Sequence, residues 1–345
     1  RKGSPDLNAS TSKDLTTYHA SLPANQFSLW AYVFSEMILH PVMREFYPER
    51  DVVMEERRLR YDNSPQGFLL EALVEEAFPE GPYHFSAIGR REDIQNLTEE
   101  DAYAFHRTYY LPQNMVGVLV GAVPVEQAKP VLERFFGGQK RGIHLPRPQN
   151  KSFAFHGERR KTVLFPAEPI LVVAVHKPPA PARDDYLFDM LDNLLCEGRT
   201  GRFYRRLVEE LKAASEVYCA TSFPGSRAEN LFLVFAAPSK GVALEGLEEK
   251  VWAELERIKK DLQQEELNKV RRAVLYNYFW SMKSNAELAE QLAYGEALMN
   301  DWRYIVNYPK VIESVTAGEI QSAAKKYFVP NNRVVLYRLR GEKKQ

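Results

Sequence analysis

A helix, a Pro-Asn turn and a strand signal occur twice in this chain, at an offset of 218 residues. Residues 97–121 read LTEEDAYAFHRTYYLPQNMVGVLVG, and residues 315–337 read VTAGEIQSAAKKYFVPNNRVVLY. The segments align without a gap. The identical pairs are Thr98 with Thr316, Tyr109 with Tyr327, Pro112 with Pro330, Asn114 with Asn332 and Val116 with Val334. A segment that recurs over so long an interval indicates duplication of a whole domain.

The duplication predicts the domain limits. A chain of 345 residues is too long for one core. We predict a first domain at 1–138, a linker at 139–152 that is rich in Gly, Pro and basic residues, and a second domain at 153–345. Applying the offset to the second domain predicts that about 65–70 further residues complete the first domain ahead of Arg1.

The order of helical and strand patterns predicts the fold class. Strands and helices alternate irregularly, which favours an α+β fold of two homologous domains, each a mostly antiparallel sheet packed with helices. We predict a buried strand at residues 115–120 and one long helix at residues 265–299. Thr98, followed by acidic residues, predicts a helix N-terminus.

Composition excludes several classes of function. The chain has 46 basic and 46 acidic residues, so it lacks the positive charge that nucleic-acid binding favours. It has no apolar run long enough to span a membrane. Cys196 and Cys219 form no C-x-x-C motif, and we predict core thiols, with a single bridge as the less favoured alternative.

The segment YPERDVVMEERRLRYDNSP, residues 47–65, carries the most suggestive chemistry. On a helix, Glu49, Val52, Val53 and Glu56 share one stripe because they are three, four and seven residues apart. The two carboxylates therefore flank the most apolar positions of the helix. A buried carboxylate is costly unless it is paired or binds a metal.

The same stripe has two interpretations. In one, Glu56 is a metal ligand and Glu49 is an auxiliary carboxylate. In the other, the helix is charge-rich and solvated, and its valine pair is incidental. Arg50, Arg57 and Arg58 fall on other faces. The spacing alone favours the solvated helix.

Motifs along nearly the whole chain resemble the pitrilysin/insulinase family of zinc metallopeptidases, in its bacterial two-domain form. The matching segments are NAST at 8–11, Asp14, Thr16, Tyr18, SLP at 21–23, ERDVVMEERR at 49–58, NSP at 63–65, YYLPQN at 109–114 and EGRTGRFYRRLVEE at 197–210. The resemblance implies a clam-shell arrangement of the two domains. It also implies a zinc endopeptidase acting on peptides or small unfolded proteins.

The resemblance gives roles to five residues. Glu56 takes the position of the distal zinc ligand, and Glu49 takes that of the auxiliary catalytic glutamate. Asn8, Ala9 and Thr11 fall in the strand that pairs with extended substrate. Such pairing gives affinity through main-chain hydrogen bonds and tolerates varied substrate sequences.

The family's zinc site also needs an inverted H-x-x-E-H motif on a helix. None of the seven histidines lies four residues from another, so this chain has no such motif. The offset places the motif ahead of Arg1. We therefore expect one zinc per complete chain, held by two upstream histidines and Glu56, and no activity from residues 1–345 by themselves.

A second departure concerns the later domain. Active relatives carry an Arg and, seven residues later, a Tyr; the matching positions here are Val208 and Ser215. The resemblance implies a homodimer or a heterodimer with another family member, whose partner would supply that pair. The alternative is a non-catalytic partner or structural subunit. The resemblance favours an exported, periplasmic protein, with a cytoplasmic one as the alternative, and nothing in residues 1–345 shows the compartment.

Overall fold

The computed structural model describes residues 6–142 and 151–342. The helices are α1 (Phe27–Leu39), α2 (Phe46–Arg57), α3 (Pro65–Ala77), α4 (Arg91–Asn96), α5 (Glu99–Tyr109), α6 (Val125–Phe136), α7 (Arg183–Cys196), α8 (Leu244–Ile258), α9 (Gln264–Trp280), α10 (Asn285–Met299), α11 (Tyr304–Ser314) and α12 (Ala317–Tyr327). The strands are β1 (Asn8–Thr11), β2 (Thr16–His19), β3 (Arg159–Phe165), β4 (Ile170–Lys177), β5 (Ala214–Phe223), β6 (Asn230–Pro238) and β7 (Arg333–Arg340). Two π-helical segments occur, at Arg58–Asp62 and Tyr204–Glu210.

Contacts divide the chain into two compact units whose segments alternate along the sequence. Unit 1 consists of residues 1–57, 87–147 and 279–305, and unit 2 of residues 58–86, 148–278 and 306–345. Residues 58–86 thus belong to unit 2, although they precede the predicted linker. The domain limits inferred from the duplication stay a prediction, and residues 143–150 of that linker lie outside the described residues.

Unit 2 is built on a five-stranded sheet of order β3-β7-β4-β6-β5. Strands β3 and β7 are parallel, and the other neighbouring pairs are antiparallel. Strand β4 reads ILVVAVHK, a nearly continuous apolar run that is buried from Leu171 to Lys177. Such a run is typical of a strand covered on both faces.

Helix α3 covers one face of this sheet. Ser64 caps its N-terminus by accepting a hydrogen bond from the Gly67 N–H, and Pro65 occupies the first turn. Leu69 and Leu73 are fully buried and join a cluster that includes inward residues of β4, β6 and β7. The NSP sequence thus both ends the preceding helix and directs an apolar helix onto the sheet.

Helices α7, α8 and α12 lie on the opposite side. The ring of Phe188 in α7 lies 5.5 Å from that of Phe232 in β6 and 5.3 Å from that of Tyr327 in α12. Phe188 and Leu247 of α8 are completely buried. The sheet of unit 2 is therefore packed between helices on both faces, and the predicted α+β class is confirmed.

A buried ion pair lies where β4 ends. The Lys177 ammonium contacts the Asp185 carboxylate, donates a 3.3 Å hydrogen bond to the Ser222 hydroxyl, and lies 5.7 Å from the centre of the Phe188 ring. The side chains of Lys177 and Asp185 are only 0% and 4% exposed. Each charge thus depends on the other for compensation.

The two cysteines are joined. Cys196 ends α7, Cys219 lies in β5, and their Cα atoms are 5.7 Å apart, within the range that a disulfide spans. The prediction of two free core thiols was wrong. A separation of 23 residues in sequence concealed their proximity, because α7 packs beside the strand that follows it.

Unit 1 has a small sheet and an aromatic helix contact. Strands β1 and β2 form an antiparallel two-stranded sheet. In α1, the Trp30 ring stacks on Phe34 at 4.9 Å and lies 6.5 Å from Phe136 of α6. These contacts join α1 to α6 through aromatic surface.

The two duplicated segments begin with the same kind of helix cap, but only the second ends in a strand that is paired within the described residues. Thr98 and Thr316 both form capping boxes, with Asp101 and Glu319 respectively, as the predicted helix starts require. In the second copy, β7 pairs with β3 and β4. In the first copy, the prediction of a buried strand at residues 115–120 was wrong. No strand within 6–142 or 151–342 pairs with them, and a strand requires a hydrogen-bonded neighbour.

The predicted helix at 265–299 is divided into α9 and α10. Ser284 caps α10 and forms a capping box with Glu287, so a new helix begins there. The sequence SNAE contained this signal. No helix in the described part of the chain is both long and apolar enough to cross a membrane.

The buried ion pair predicts how unit 2 responds to substitution. Lys177→Met should lower the free energy of unfolding by about 3–5 kcal/mol, because it leaves the Asp185 carboxylate buried without a cation. Urea denaturation followed by circular dichroism measures this. The double variant Lys177→Met/Asp185→Leu is the control, and it should recover much of the loss. A single variant as stable as the parent would contradict the prediction.

Candidate functional site

Helix α2 carries both glutamates of the predicted site. Glu49 lies in its first turn, where a carboxylate interacts favourably with the helix dipole, and Glu56 lies one residue before its last residue. Glu49 is exposed and Glu56 is partly buried. Both residues belong to one continuous helix and lie two turns apart, as the predicted stripe requires.

Hydrogen bonds from two arginine side chains of α2 to main-chain carbonyls hold this helix within unit 1. Arg57 is buried, and its Nη1 donates a hydrogen bond to the Gly89 carbonyl. Arg50, two turns earlier, donates to the Leu97 carbonyl at 3.1 Å. Val52, which the sequence pattern placed at the apolar centre of the stripe, is 56% exposed. This exposure fits the solvated helix that the spacing alone favours, and the long arginine side chains, which reach the neighbouring backbone, hold the helix in place.

The predicted substrate strand is β1, and its residues Asn8, Ala9 and Thr11 are exposed. It pairs with β2 in a register that sets Asn8 opposite His19 and Thr11 opposite Thr16. Within the described ranges, β1 has no second neighbouring strand. An edge of this kind can receive an added strand.

The β1–β2 hairpin is anchored from β2. The hydroxyl oxygens of Tyr18 and Tyr110 are 2.5 Å apart, and burial together with this hydrogen bond raises the pKa of Tyr18 above its ordinary value. On β1, the Ala9 N–H donates to the Asn8 side-chain oxygen at 2.9 Å. This local hydrogen bond occupies a main-chain donor that an incoming strand would otherwise use.

The described residues do not complete a zinc site. They contain no group of three or more His, Cys, Asp or Glu side chains placed to hold a metal ion. Of the ligands that the resemblance implies, only Glu56 lies in this chain. A catalytic zinc takes three protein ligands, so these residues alone do not fit the ion.

Val208 and Ser215, the positions that the resemblance matches to an Arg and a Tyr of active relatives, lie in different elements of unit 2. Val208 is partly buried in the π-helical segment, and Ser215 is exposed near the start of β5. Tyr218, three residues later, stacks on Phe235 at 4.5 Å. Burial and the nearby Glu216 raise the pKa of Tyr218. Its ring therefore packs on the neighbouring strand of the sheet.

Family models match both parts of the chain. The model described as Insulinase (Peptidase family M16) matches residues 3–90, and the model described as Peptidase M16 inactive domain matches residues 96–274. The chain belongs to the M16 (insulinase) peptidase family. The resemblance drawn from the motifs is confirmed. The first match contains Glu49, Glu56 and strand β1, whereas the second covers more than half of the chain.

Individual relatives agree with this membership. The chain is 30% identical over 328 residues to the zinc protease PqqE of Helicobacter pylori, covering 93% of this chain and 73% of that protein. It is similar to the crystal structure of a protease from Helicobacter pylori, with a TM-score of 0.89, 28% identity, and coverage of 96% of this chain and 80% of that one.

A more distant structure supports the fold alone. The crystal structure of a peptidase M16 inactive domain from Pseudomonas fluorescens has a TM-score of 0.85 and 17% identity, covering 99% of this chain and 82% of that one. The M16 fold of this chain is thus shared with proteins of widely different sequence.

The arginine that holds α2 predicts a local stability effect. Arg57→Met should lower the free energy of unfolding by about 1–3 kcal/mol, because it removes the donor to the Gly89 carbonyl. Arg58→Met changes the neighbouring exposed arginine and is the matched control. Thermal denaturation of both variants measures the difference. Equal midpoints for the two variants would show that the contact of Arg57 does not support the helix.

Proposed function

We propose that the protein is a zinc-dependent endopeptidase of the M16 family that cleaves peptides or small unfolded proteins bound as an added strand. The observation that carries the proposal is the match of residues 3–90 to the insulinase model, with Glu49 and Glu56 two turns apart on one helix inside it. The name of the Helicobacter pylori relative, a zinc protease, supports the same assignment.

Glu56 is proposed as one zinc ligand, and the other two are proposed to be histidines outside residues 1–345. Zinc, when bound, supplies an activated water for attack on a peptide carbonyl. Glu56 would contribute one carboxylate oxygen to the ion. Glu49 would act from the same helix as the auxiliary carboxylate.

Strand β1 is proposed to hold the substrate. Its exposed residues and its edge without a second described neighbour allow an extended peptide to pair by main-chain hydrogen bonds. A peptide bound in this way would compete with the Asn8 side chain for the Ala9 N–H. Such binding depends on the backbone of Asn8, Ala9 and Thr11 more than on their side chains.

A non-catalytic subunit is the second candidate. Val208 and Ser215 stand where active relatives carry Arg and Tyr, and this observation favours a protein that assists another family member. Under the first candidate, a dimer partner would supply that pair. The two candidates differ in whether the protein, purified as its gene encodes it, binds zinc and hydrolyses peptides.

The first test compares Glu56→Gln with Glu55→Gln in the protein as its gene encodes it. Metal analysis should find about one zinc per chain in the parent. Glu56→Gln should lose that zinc and reduce hydrolysis of an unstructured fluorogenic peptide by about 100-fold or more, because removal of a ligand exceeds the usual effect of an outer-shell change. Glu55→Gln alters the neighbouring carboxylate, on a different side of the helix, and should behave like the parent.

Each outcome of this test separates the candidates. A parent with neither zinc nor hydrolysis would overturn the peptidase proposal and favour the non-catalytic subunit. Zinc retained equally by both variants would exclude Glu56 as a ligand. Glu49→Gln should keep substantial zinc and lose about 10- to 100-fold in activity, with Asp51→Asn as its control.

The second test addresses the strand. Ala9→Pro removes a main-chain donor and should weaken peptide binding by about tenfold, the effect of losing one hydrogen bond of about 1 kcal/mol or slightly more. Ala9→Gly keeps the donor and is the matched control. Fluorescence anisotropy of a labelled unstructured peptide measures both affinities. Equal binding by the two variants would exclude this part of β1 as the substrate edge.

A further inference from the structure

The hairpin that carries the proposed substrate edge is small. Strands β1 and β2 have four residues each, and all four residues of β1 are exposed. A two-stranded hairpin is marginally stable at best by itself in water, so its position depends on the rest of unit 1. In the part of the chain that the structure describes, one side-chain hydrogen bond joins a residue of either strand to a residue outside the hairpin, and it connects Tyr18 with Tyr110.

Tyr18 lies directly behind the part of the edge that would meet a peptide. The register sets Tyr18 opposite Ala9. At the turn, the Ser12 N–H donates to the Leu15 carbonyl at 2.9 Å. Hydrogen-bonded and non-hydrogen-bonded pairs alternate along an antiparallel ladder, so Ala9 and Tyr18, three pairs further along, form a non-hydrogen-bonded pair. The main-chain N–H and carbonyl of Ala9 therefore point to the open edge of β1.

Tyr110 is held at the end of α5. Its N–H donates to the His106 carbonyl at 2.9 Å and closes the last turn of the helix. Its ring meets the Tyr18 ring edge-on, with centres 6.4 Å apart, and the two hydroxyl oxygens are 2.5 Å apart. Both tyrosines are partly buried. The main chain and the ring together fix the Tyr110 hydroxyl at a defined place against β2.

His106 supports the Tyr110 ring from the preceding turn of α5. The two rings stack with centres 4.9 Å apart and planes 25° apart. The Nε2 atom of His106 lies 2.7 Å from the Ile38 carbonyl oxygen. A carbonyl oxygen only accepts, so Nε2 carries a proton and donates the hydrogen bond. Ile38 is in the last turn of α1, where main-chain carbonyls lack partners within the helix. His106 therefore joins α5 to α1 and fixes the Tyr110 ring.

We propose that Tyr110 is a positioning residue for a peptide bound along β1. It does not touch the peptide. It acts through Tyr18, by holding the Ala9 main-chain groups where an extended chain can pair with them. An edge that is already ordered loses less conformational freedom when a strand is added, so the peptide binds more tightly. The inference rests on the proposed role of β1 as the substrate edge, and it involves no zinc.

Tyr110→Phe tests the proposal in the protein as its gene encodes it. The change removes one hydroxyl and keeps the ring that stacks on His106. It should weaken binding of the labelled unstructured peptide about three- to tenfold, the usual effect of losing one hydrogen bond. Tyr109→Phe removes the hydroxyl of the neighbouring exposed tyrosine and should leave binding unchanged. Fluorescence anisotropy measures both affinities, and circular dichroism establishes that each variant is folded.

A double-mutant cycle separates the hydrogen bond from other effects of the changes. Tyr18→Phe breaks the same bond from the other side and should weaken binding as much as Tyr110→Phe does. The double variant should lose no more affinity than either single variant, because the hydrogen bond is already absent in each. Losses that add up in the double variant would overturn the proposal.

Two further measurements distinguish positioning from a general loss of stability. Hydrogen–deuterium exchange without peptide should be faster in Tyr110→Phe at residues 8–19 and unchanged in the five-stranded sheet of unit 2. Peptide hydrolysis by Tyr110→Phe should show a raised KM and an unchanged kcat, because the loss falls on binding of the peptide. A lowered kcat with an unchanged KM would indicate fewer folded molecules and would count against positioning.

The Ala9 variants separate this inference from the proposal on which it rests. If Ala9→Pro binds the peptide more weakly than Ala9→Gly, while Tyr110→Phe binds like Tyr109→Phe, β1 remains the substrate edge and the positioning role of Tyr110 is excluded. If the two Ala9 variants bind equally, or the parent binds no peptide, the substrate edge itself fails, and the role of Tyr110 fails with it.

Discussion

Apolar packing against both faces of the five-stranded sheet is the constraint on which unit 2 depends. Strand β4 is buried along nearly its whole length because α3 covers one face and α7, α8 and α12 cover the other. Any polar group carried into this layer needs a partner there. Lys177 and Asp185 satisfy each other, and Asp189, one turn further along α7, accepts a hydrogen bond from the Tyr308 hydroxyl. The position of the polar groups thus follows from the need to bury the sheet.

Much of the fold could be predicted from local signals. The apolar run of β4, the capping threonines Thr98 and Thr316, and the Ser64-Pro65 helix start are all formed by residues close in sequence. Residues 115–120 show why other elements could not be predicted from the sequence. Their sequence resembles that of β7, but a strand exists only with a hydrogen-bonded partner, which the segment itself does not specify.

The part of the candidate site that depends only on helical periodicity was predictable from the sequence. Periodicity correctly placed Glu49 and Glu56 on one helix, but it could not tell which side of α2 faces its neighbours. That side is chosen by Arg57, whose long side chain reaches the carbonyl of Gly89.

The Cys196–Cys219 link joins the last residue of α7 to strand β5 across 23 residues of sequence. Cross-linking a chain restricts its unfolded state, by about 3 kcal/mol for a loop of roughly 15 residues in the chain-entropy model. Disulfides persist in oxidising surroundings and are removed in reducing ones. The thermal stability of unit 2 is therefore partly a property of its surroundings, and the same sequence would unfold at a higher temperature in an oxidising compartment than in a reducing one.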